Sequence, residues 1–421
     1  EDGIHFEKVE NNPVLSADML DKEVSPRDFR DPKIIKKGDY YYCLAGTRII
    51  NPVLFKRRAE KIAKAEALKA VSPSAYNAQK EAKKEEEFVV VRIDEDHAVN
   101  PCTGEYDQND LYHVPVLGRT EREALGNGNM ILFRTKDFEH FEYLGKLFEP
   151  QEGFDKEFFI LDGVYECPDY FTSNGTEIIL ASPQNLPQMG HKFQNVHSVI
   201  YMTGTLDFET GHFEIASIED LDSGFDIYAS QVVNMPDGRH VMIAWKEMWD
   251  RPYPTKTDNW VGTYTLPREL VYKDNHLYQI PVREIDNYRC DRIDREKIVL
   301  AEESHQLEGF TGRSIEIQAS FIPGTAKKAG VKLFKGKEHE TLVYYDAEEE
   351  VVVFDRSKSG IPLVTEGDHV RCCQLDEEEI LRLQIFLDVS SVEVFINGGR
   401  YTMTANVYPD PDDTGVEFFA E

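Results

Sequence analysis

The chain has 421 residues, 41% hydrophobic, 29% charged and 11% aromatic, apolar enough for two domains or one large domain with a smaller companion. Its 77 acidic side chains against 47 basic ones leave a formal charge of −30, which argues against nucleic acid or an anionic membrane surface as a partner. Apolar runs such as 88–91 and 351–354 hold four residues, where a membrane-spanning helix needs about 20.

The dominant signal is β. Runs rich in tyrosine, valine, isoleucine and phenylalanine at 33–47, 129–148, 177–182, 197–205 and 240–245 alternate with turn residues. The turns are Lys37-Gly38-Asp39, Ser173-Asn174-Gly175, Pro236-Asp237-Gly238 and Lys273-Asp274-Asn275. A repeat narrows the fold: His-Phe-Glu occurs at His5-Phe6-Glu7, His140-Phe141-Glu142 and His212-Phe213-Glu214, each after an aspartate (Asp2, Asp137, Asp207) and a short turn. A recurring strand-turn-strand unit of this kind predicts propeller blades.

From about 55 to 125 the pattern breaks. The first part is Ala/Lys/Glu-rich and helical in propensity, and Pro101-Cys102-Thr103-Gly104 follows as a loop. This reads as a helical and irregular insertion on the propeller surface, with a lid or a contact in a homo-oligomer as the rival. A linker helix is expected at 281–303, where Ile285, Tyr288 and Ile293 could dock. Longer alternating strands follow from 304 to 421, with a hairpin closed at Asn397-Gly398-Gly399, and predict a β-sandwich. The expected organisation is therefore a propeller over 1–280, a linker and a sandwich.

Cys43, Cys102, Cys167 and Cys290 are scattered, and Cys372 and Cys373 are adjacent. They make neither a disulfide framework nor a zinc pattern, which suits a reducing, cytoplasmic setting and calls for no metal or cofactor. There is no phosphate-cradling glycine loop and no Gly-x-Ser-x-Gly elbow, so carboxylates are the candidates for chemistry. Asp31 lies in Phe29-Arg30-Asp31-Pro32, where the neighbouring arginine favours the ionised acid and offers donors for hydroxyl groups. Glu166 lies in Tyr165-Glu166-Cys167-Pro168-Asp169, where apolar neighbours are expected to desolvate the carboxyl and suit it to proton donation.

These motifs resemble those of glycoside hydrolase family 32, the invertases, sucrose-6-phosphate hydrolases, levanases and inulinases. Phe29 to Pro32 and Glu166 to Asp169 match two of the family's motifs. The segment Gly224-Phe225-Asp226-Ile227-Tyr228-Ala229-Ser230-Gln231 is similar to a third. Trp260-Val261-Gly262 with Leu266-Pro267-Arg268-Glu269-Leu270 resembles the end-of-propeller segment. Asp355-Arg356-Ser357 and residues 386–395 resemble the C-terminal module. The resemblance implies an all-β fold, a five-bladed propeller followed by a β-sandwich. The implied reaction is retaining hydrolysis of terminal β-D-fructofuranosyl bonds in sucrose, sucrose 6-phosphate or fructans. It makes Glu166 the general acid/base and Asp31 the transition-state stabiliser, with Arg30, Cys167, Tyr228 and Trp245 binding the sugar.

The sequence departs from the family in one motif. The family's nucleophile is the aspartate of Asn-Asp-Pro-Asn-Gly in the first blade, and that string does not occur here; the nearest is Asn109-Asp110-Leu111. Residues 1–6 resemble a segment that follows the first blade, so the sequence is expected to lack that blade and the nucleophile with it. The competing reading is a non-catalytic carbohydrate-binding protein in which Arg30, Asp31 and Trp245 hold a sugar without cleaving it.

Overall fold

The computed structural model describes the chain except residues 1–3, 9, 11, 26–27, 51–125, 150–163, 185, 187, 249–250, 302, 364–368 and 377–379. The helical insertion and the Asn109-Asp110-Leu111 string lie outside the described residues. The rest is almost entirely β. Strands β1 (Arg30–Lys37), β2 (Tyr40–Ile50), β3 (Gly126–Thr135) and β4 (Glu142–Lys146) form one four-stranded sheet in chain order. A second sheet holds β5 (Tyr165–Ser173), β6 (Thr176–Pro183), β7 (Ile200–Leu206) and β8 (Phe213–Asp220). A third holds β9 (Tyr228–Asn234), β10 (His240–Trp245), β11 (Arg268–Lys273) and β12 (His276–Pro281), again in chain order. Each sheet is a meander of the kind from which propeller blades are built.

Local chemistry explains the turns. Asn174 and Gly175 take φ of 51° and 83°, and Asp274 and Asn275 take 50° and 59°. Positive φ at both central residues is the geometry that matches the twist of a two-residue hairpin. The repeat is also chemical. Asp137 Oδ1 accepts the backbone N–H groups of Glu139 and His140, and Asp207 Oδ1 accepts that of Glu209, so both aspartates brace the turn into the fourth strand of a sheet. The third copy, His5-Phe6-Glu7, lies in no strand.

Ten further strands follow: β13 (Glu303–Thr311), β14 (Ile315–Phe321), β15 (Lys328–Lys335), β16 (Glu340–Asp346), β17 (Val351–Lys358), β18 (Val370–Gln374), β19 (Leu381–Asp388), β20 (Ser391–Ile396), β21 (Tyr401–Asn406) and β22 (Gly415–Ala420). They form a six-stranded sheet ordered β13-β22-β15-β16-β17-β18 and a four-stranded sheet ordered β14-β19-β20-β21. Alternate residues of β19 (Leu381, Leu383, Ile385, Leu387) and of β20 (Val392, Val394, Ile396) enter one apolar core with Val331, Leu333, Val343, Val352 and Phe354. The expected linker helix is a short 3-10 helix, Arg283–Tyr288, and residues 289–300 carry no regular structure. Tyr288 is 85% exposed, so the segment has too little apolar face to hold a longer helix by packing.

By compactness the chain divides into two units. One holds Glu1–Tyr170, Ile179–Pro187 and Met202–Ser217; the other holds Phe171–Ile178, Gln188–Tyr201 and Ile218–Glu421. In the second unit the polar faces of β20 and β21 are not solvated but covered by the third sheet and the segment that leads into it. Arg268 is fully buried and donates to Asp222 at 3.1 Å, to Glu393 at 2.8 Å and to Gln279 at 2.8 Å. Lys246 reaches Ser391 at 2.7 Å and Glu393 at 3.3 Å, and the backbone N–H of Leu266 donates to Glu393 at 2.9 Å. Just before β9, Phe225 enters the sandwich core edge-on to Phe354, with centroids 5.7 Å apart. Asp226 pairs with both Arg251 and Arg356, and these two charges outweigh its burial and hold its carboxyl below the usual range.

Breaking such a buried pair leaves an uncompensated charge. Arg268→Met is therefore expected to cost about 3–5 kcal/mol, read as a fall in the urea midpoint; an unchanged midpoint would show that the network carries no stability.

Candidate active site

The first strand of each of the three meander sheets is an edge strand, and each of these opens on the same backbone device. Asp31 in β1, Cys167 in β5 and Ala229 in β9 have φ of 56°, 49° and 52°, in the left-handed region that side chains with a Cβ rarely adopt. The β1–β2 register shifts between Arg30 and Lys33, and the β9–β10 register shifts between Ile243 and Trp245, opposite the start of β9. These are bulges, which re-aim side chains at the end of a strand. Pro32 and Pro168, which have no N–H for a ladder, are tolerated because the strands are edges. In each sheet the left-handed residue directly follows a predicted site residue: Arg30, Glu166 and Tyr228.

In the first unit the two motifs meet in register. Arg30 Nη1 donates to Glu166 Oε1 at 2.8 Å, the N–H of Cys167 donates to Asp31 Oδ2 at 3.1 Å, and Lys33 Nζ donates to Asp169 Oδ2 at 2.9 Å. All three pairs are 136 residues apart, so the two segments run side by side at a constant offset. Gly46, which faces Arg30 across the β1–β2 ladder, makes room for this: a Cβ there would overlap the carbonyl oxygen of Tyr165.

Electrostatics then set the roles available. Arg30 is shared between Glu166 and Asp28, whose other oxygen accepts from Ser25 at 2.8 Å. Where the sequence suggested apolar surroundings for Glu166, both of its carboxylate oxygens meet donors. Gln184 Nε2 donates to Oε2 at 2.8 Å, opposite the arginine on Oε1. Asp31 is exposed and accepts from the Cys167 N–H. Burial, with the charges of Asp31 and Glu166, pushes the Cys167 thiol up to about 12, so it lines the site as a neutral thiol and not as a thiolate nucleophile. The arrangement offers one exposed acid, one held acid and a guanidinium, a set suited to hydroxyl-rich ligands and proton transfer.

Tyr228 and Trp245, in the second unit, are partners across β9 and β10. Tyr228 is buried and packs edge-on against His197 with centroids 6.1 Å apart, and Trp245 is half-buried and bridged to Tyr264. Close by in sequence, Glu247 is buried and accepts from the Tyr408 hydroxyl at 3.3 Å. Burial and then the charge of Asp226 push its carboxyl up to about 7.

Sequence reasoning assigned no role to Lys33, Asp169 or Gln184. Asp169 was legible as a charge inside an otherwise apolar strand, which asks for a partner. Gln184 directly follows the buried strand β6, and its N–H donates to the carbonyl of Val164, two residues before Glu166, at 3.1 Å. No spacing in the sequence points to it.

Asp169 is buried, and Lys33→Met is expected to cost up to about 3 kcal/mol by removing the cation that pairs with its charge. The double variant Lys33→Met/Asp169→Leu should recover most of that loss in thermal melts. For Glu247 the folded state holds its proton from the ordinary 4.5 up to about 7. Its contribution to stability is therefore full at low pH and lost as pH rises through that window. Relative to Glu247→Gln, the wild type should lose melting temperature between pH 5 and pH 8; a constant difference would contradict this.

Residues 63–281 match the Glycosyl hydrolases family 32 N-terminal domain, and residues 284–421 match the Glycosyl hydrolases family 32 C terminal. A sucrose-6-phosphate hydrolase of Staphylococcus xylosus is 29% identical over 318 residues, 75% of this chain and 61% of that protein. One from Zymomonas mobilis is 31% identical over 327 residues, 75% of this chain and 62% of that protein. The chain thus spans less than two thirds of the length of these relatives. In structure it is similar to the family 32 β-fructofuranosidase of Bombyx mori, with TM-score 0.66 and 24% identity over 100% of this chain and 68% of that one. Two matched domains in chain order, the shared fold and the paired motifs lead to one conclusion: the chain belongs to glycosyl hydrolase family 32.

Proposed function

We propose that the protein is a retaining glycoside hydrolase that releases fructose from terminal β-D-fructofuranosyl bonds of sucrose-type substrates. The observation that carries this reading is the side-by-side placement of Arg30-Asp31 and Glu166-Cys167, with one acid exposed and the other held between two donors. Relatives named sucrose-6-phosphate hydrolase and raffinose invertase support the choice of a fructoside.

In this reading Glu166 protonates the departing glycosidic oxygen and then, as a base, activates the water that completes hydrolysis. Retention requires a second carboxyl about 5–5.5 Å away as nucleophile. The family assigns that step to the aspartate of Asn-Asp-Pro-Asn-Gly, a string absent from this sequence, and no residue here is given the role. Asp31 accepts from fructose hydroxyls and its charge favours the oxocarbenium-like transition state. Arg30 donates to the same sugar while it holds Glu166. Cys167, neutral at working pH, fills the wall between the two acids.

In protein expressed from the complete reading frame, Glu166→Gln is expected to lower fructose release from sucrose about 10²–10⁴-fold, the usual cost of losing a general acid. Turnover unchanged by this substitution would refute the assignment. Calorimetric binding of sucrose with no release by the wild type would favour the carbohydrate-binding reading.

A further inference from the structure

Proton transfer to a leaving group demands more of a glutamate than presence. The torsion that turns its carboxyl plane is broad and two-fold, so a carboxyl held at one oxygen still rotates. Glu166 is held at both. Arg30 Nη1 lies 2.8 Å from Oε1 and Gln184 Nε2 lies 2.8 Å from Oε2. The two holds are not equivalent. The Arg30 side chain is 35% exposed and also bonds Asp28 at 2.9 Å, and it is the group proposed to take sugar hydroxyls. Its grip on Glu166 is shared just when substrate is bound. Gln184 has no such competing role, and its backbone is tied to Val164 on the run into β5.

The chemistry of the side chain fits as well. An acid/base catalyst is protonated in one half of the reaction and ionised in the other. A guanidinium carries a charge, which favours the carboxylate over the neutral acid. A carboxamide is neutral, and its N–H can donate to Oε2 both in the carboxylate and in the acid whose proton sits on the other oxygen, leaving that proton for the leaving group. We propose that Gln184 is the positioning residue for proton transfer by Glu166, holding its carboxyl plane in both protonation states. This inference rests on the hydrolase reading above.

The test separates a positioning role from a structural one by the leaving group. In protein from the complete reading frame, Gln184→Met and Gln184→Glu are assayed on sucrose and on a 4-nitrophenyl β-D-fructofuranoside. The nitrophenolate leaves with little need of a proton. Misplacing the acid should lower kcat/KM on sucrose about 10–100-fold and change kcat/KM on the aryl fructoside little, because kcat/KM reads the acid-assisted first step while the base-assisted second step is common to both substrates. Glu166→Gln should show the same split more strongly. A loss of folded protein lowers both rates together and leaves their ratio unchanged, so the ratio reads the active sites alone. If Glu166→Gln shows the split and both Gln184 variants keep the wild-type ratio, the role of Gln184 is overturned and the hydrolase reading stands. If the wild type cleaves neither substrate, the hydrolase reading falls and this inference with it.

Discussion

The bond from the Cys167 N–H to the Asp31 carboxylate joins two edge strands at the point where each is bent into the left-handed region. Such a backbone costs of order 1–3 kcal/mol at a residue with a Cβ. It persists because the neighbours determine it: Arg30 on Glu166 to one side, Lys33 on Asp169 to the other, and Gly46 clearing space for Tyr165. The result is that Arg30 meets Glu166 while Asp31 accepts from the Cys167 N–H beside them. Extended strands without the bulge would send successive side chains to opposite faces.

In the second unit a comparable constraint is set by charge. Arg268, Glu393, Asp222 and Lys246 are buried together, and Asp226 holds Arg251 and Arg356. Removing ions from water is costly, and an apolar replacement of matching shape could be as stable. What the charges add is register. In the observed placement Arg268 of β11 bonds both Asp222 and, on β20, Glu393, and Phe225 with Asp226 ties down the chain directly before β9 opens. Arg356 illustrates the cost: burial lowers its pKa to about 10, with Asp226 opposing that shift and Arg251 and Arg371 adding to it. The segment from Gly224 to Tyr228 thereby serves two purposes, its first half tied to the sandwich and its second half opening a strand with Tyr228.

Reading the motifs against the contacts explains why they come in pairs. Asp226 in the Gly224 segment meets Arg356 of Asp355-Arg356-Ser357, and Arg268 after Leu266-Pro267 meets Glu393 in the 386–395 stretch. A motif that looks like a string in sequence is one half of a contact in space. The same is true of Phe29 to Pro32 and Glu166 to Asp169.

The strands and their turns were legible from sequence alone, because they depend on residue types a few positions apart: aspartates that brace a turn and Asn-Gly pairs that accept positive φ. Asp31 and Glu166 were candidates there, one beside an arginine and one among apolar neighbours. The helix expected after Pro281 failed on the same local reasoning, since Tyr288 finds no surface to cover it. Tertiary structure alone decided that Glu166 would be both largely buried and gripped by Arg30 and Gln184, and that Asp169 would find Lys33. Arg30 and Lys33 stand 136 residues from their partners, and the side-by-side placement of two edge strands brings these polar atoms within hydrogen-bond reach, while Gln184 arrives from the end of β6, the neighbour of β5.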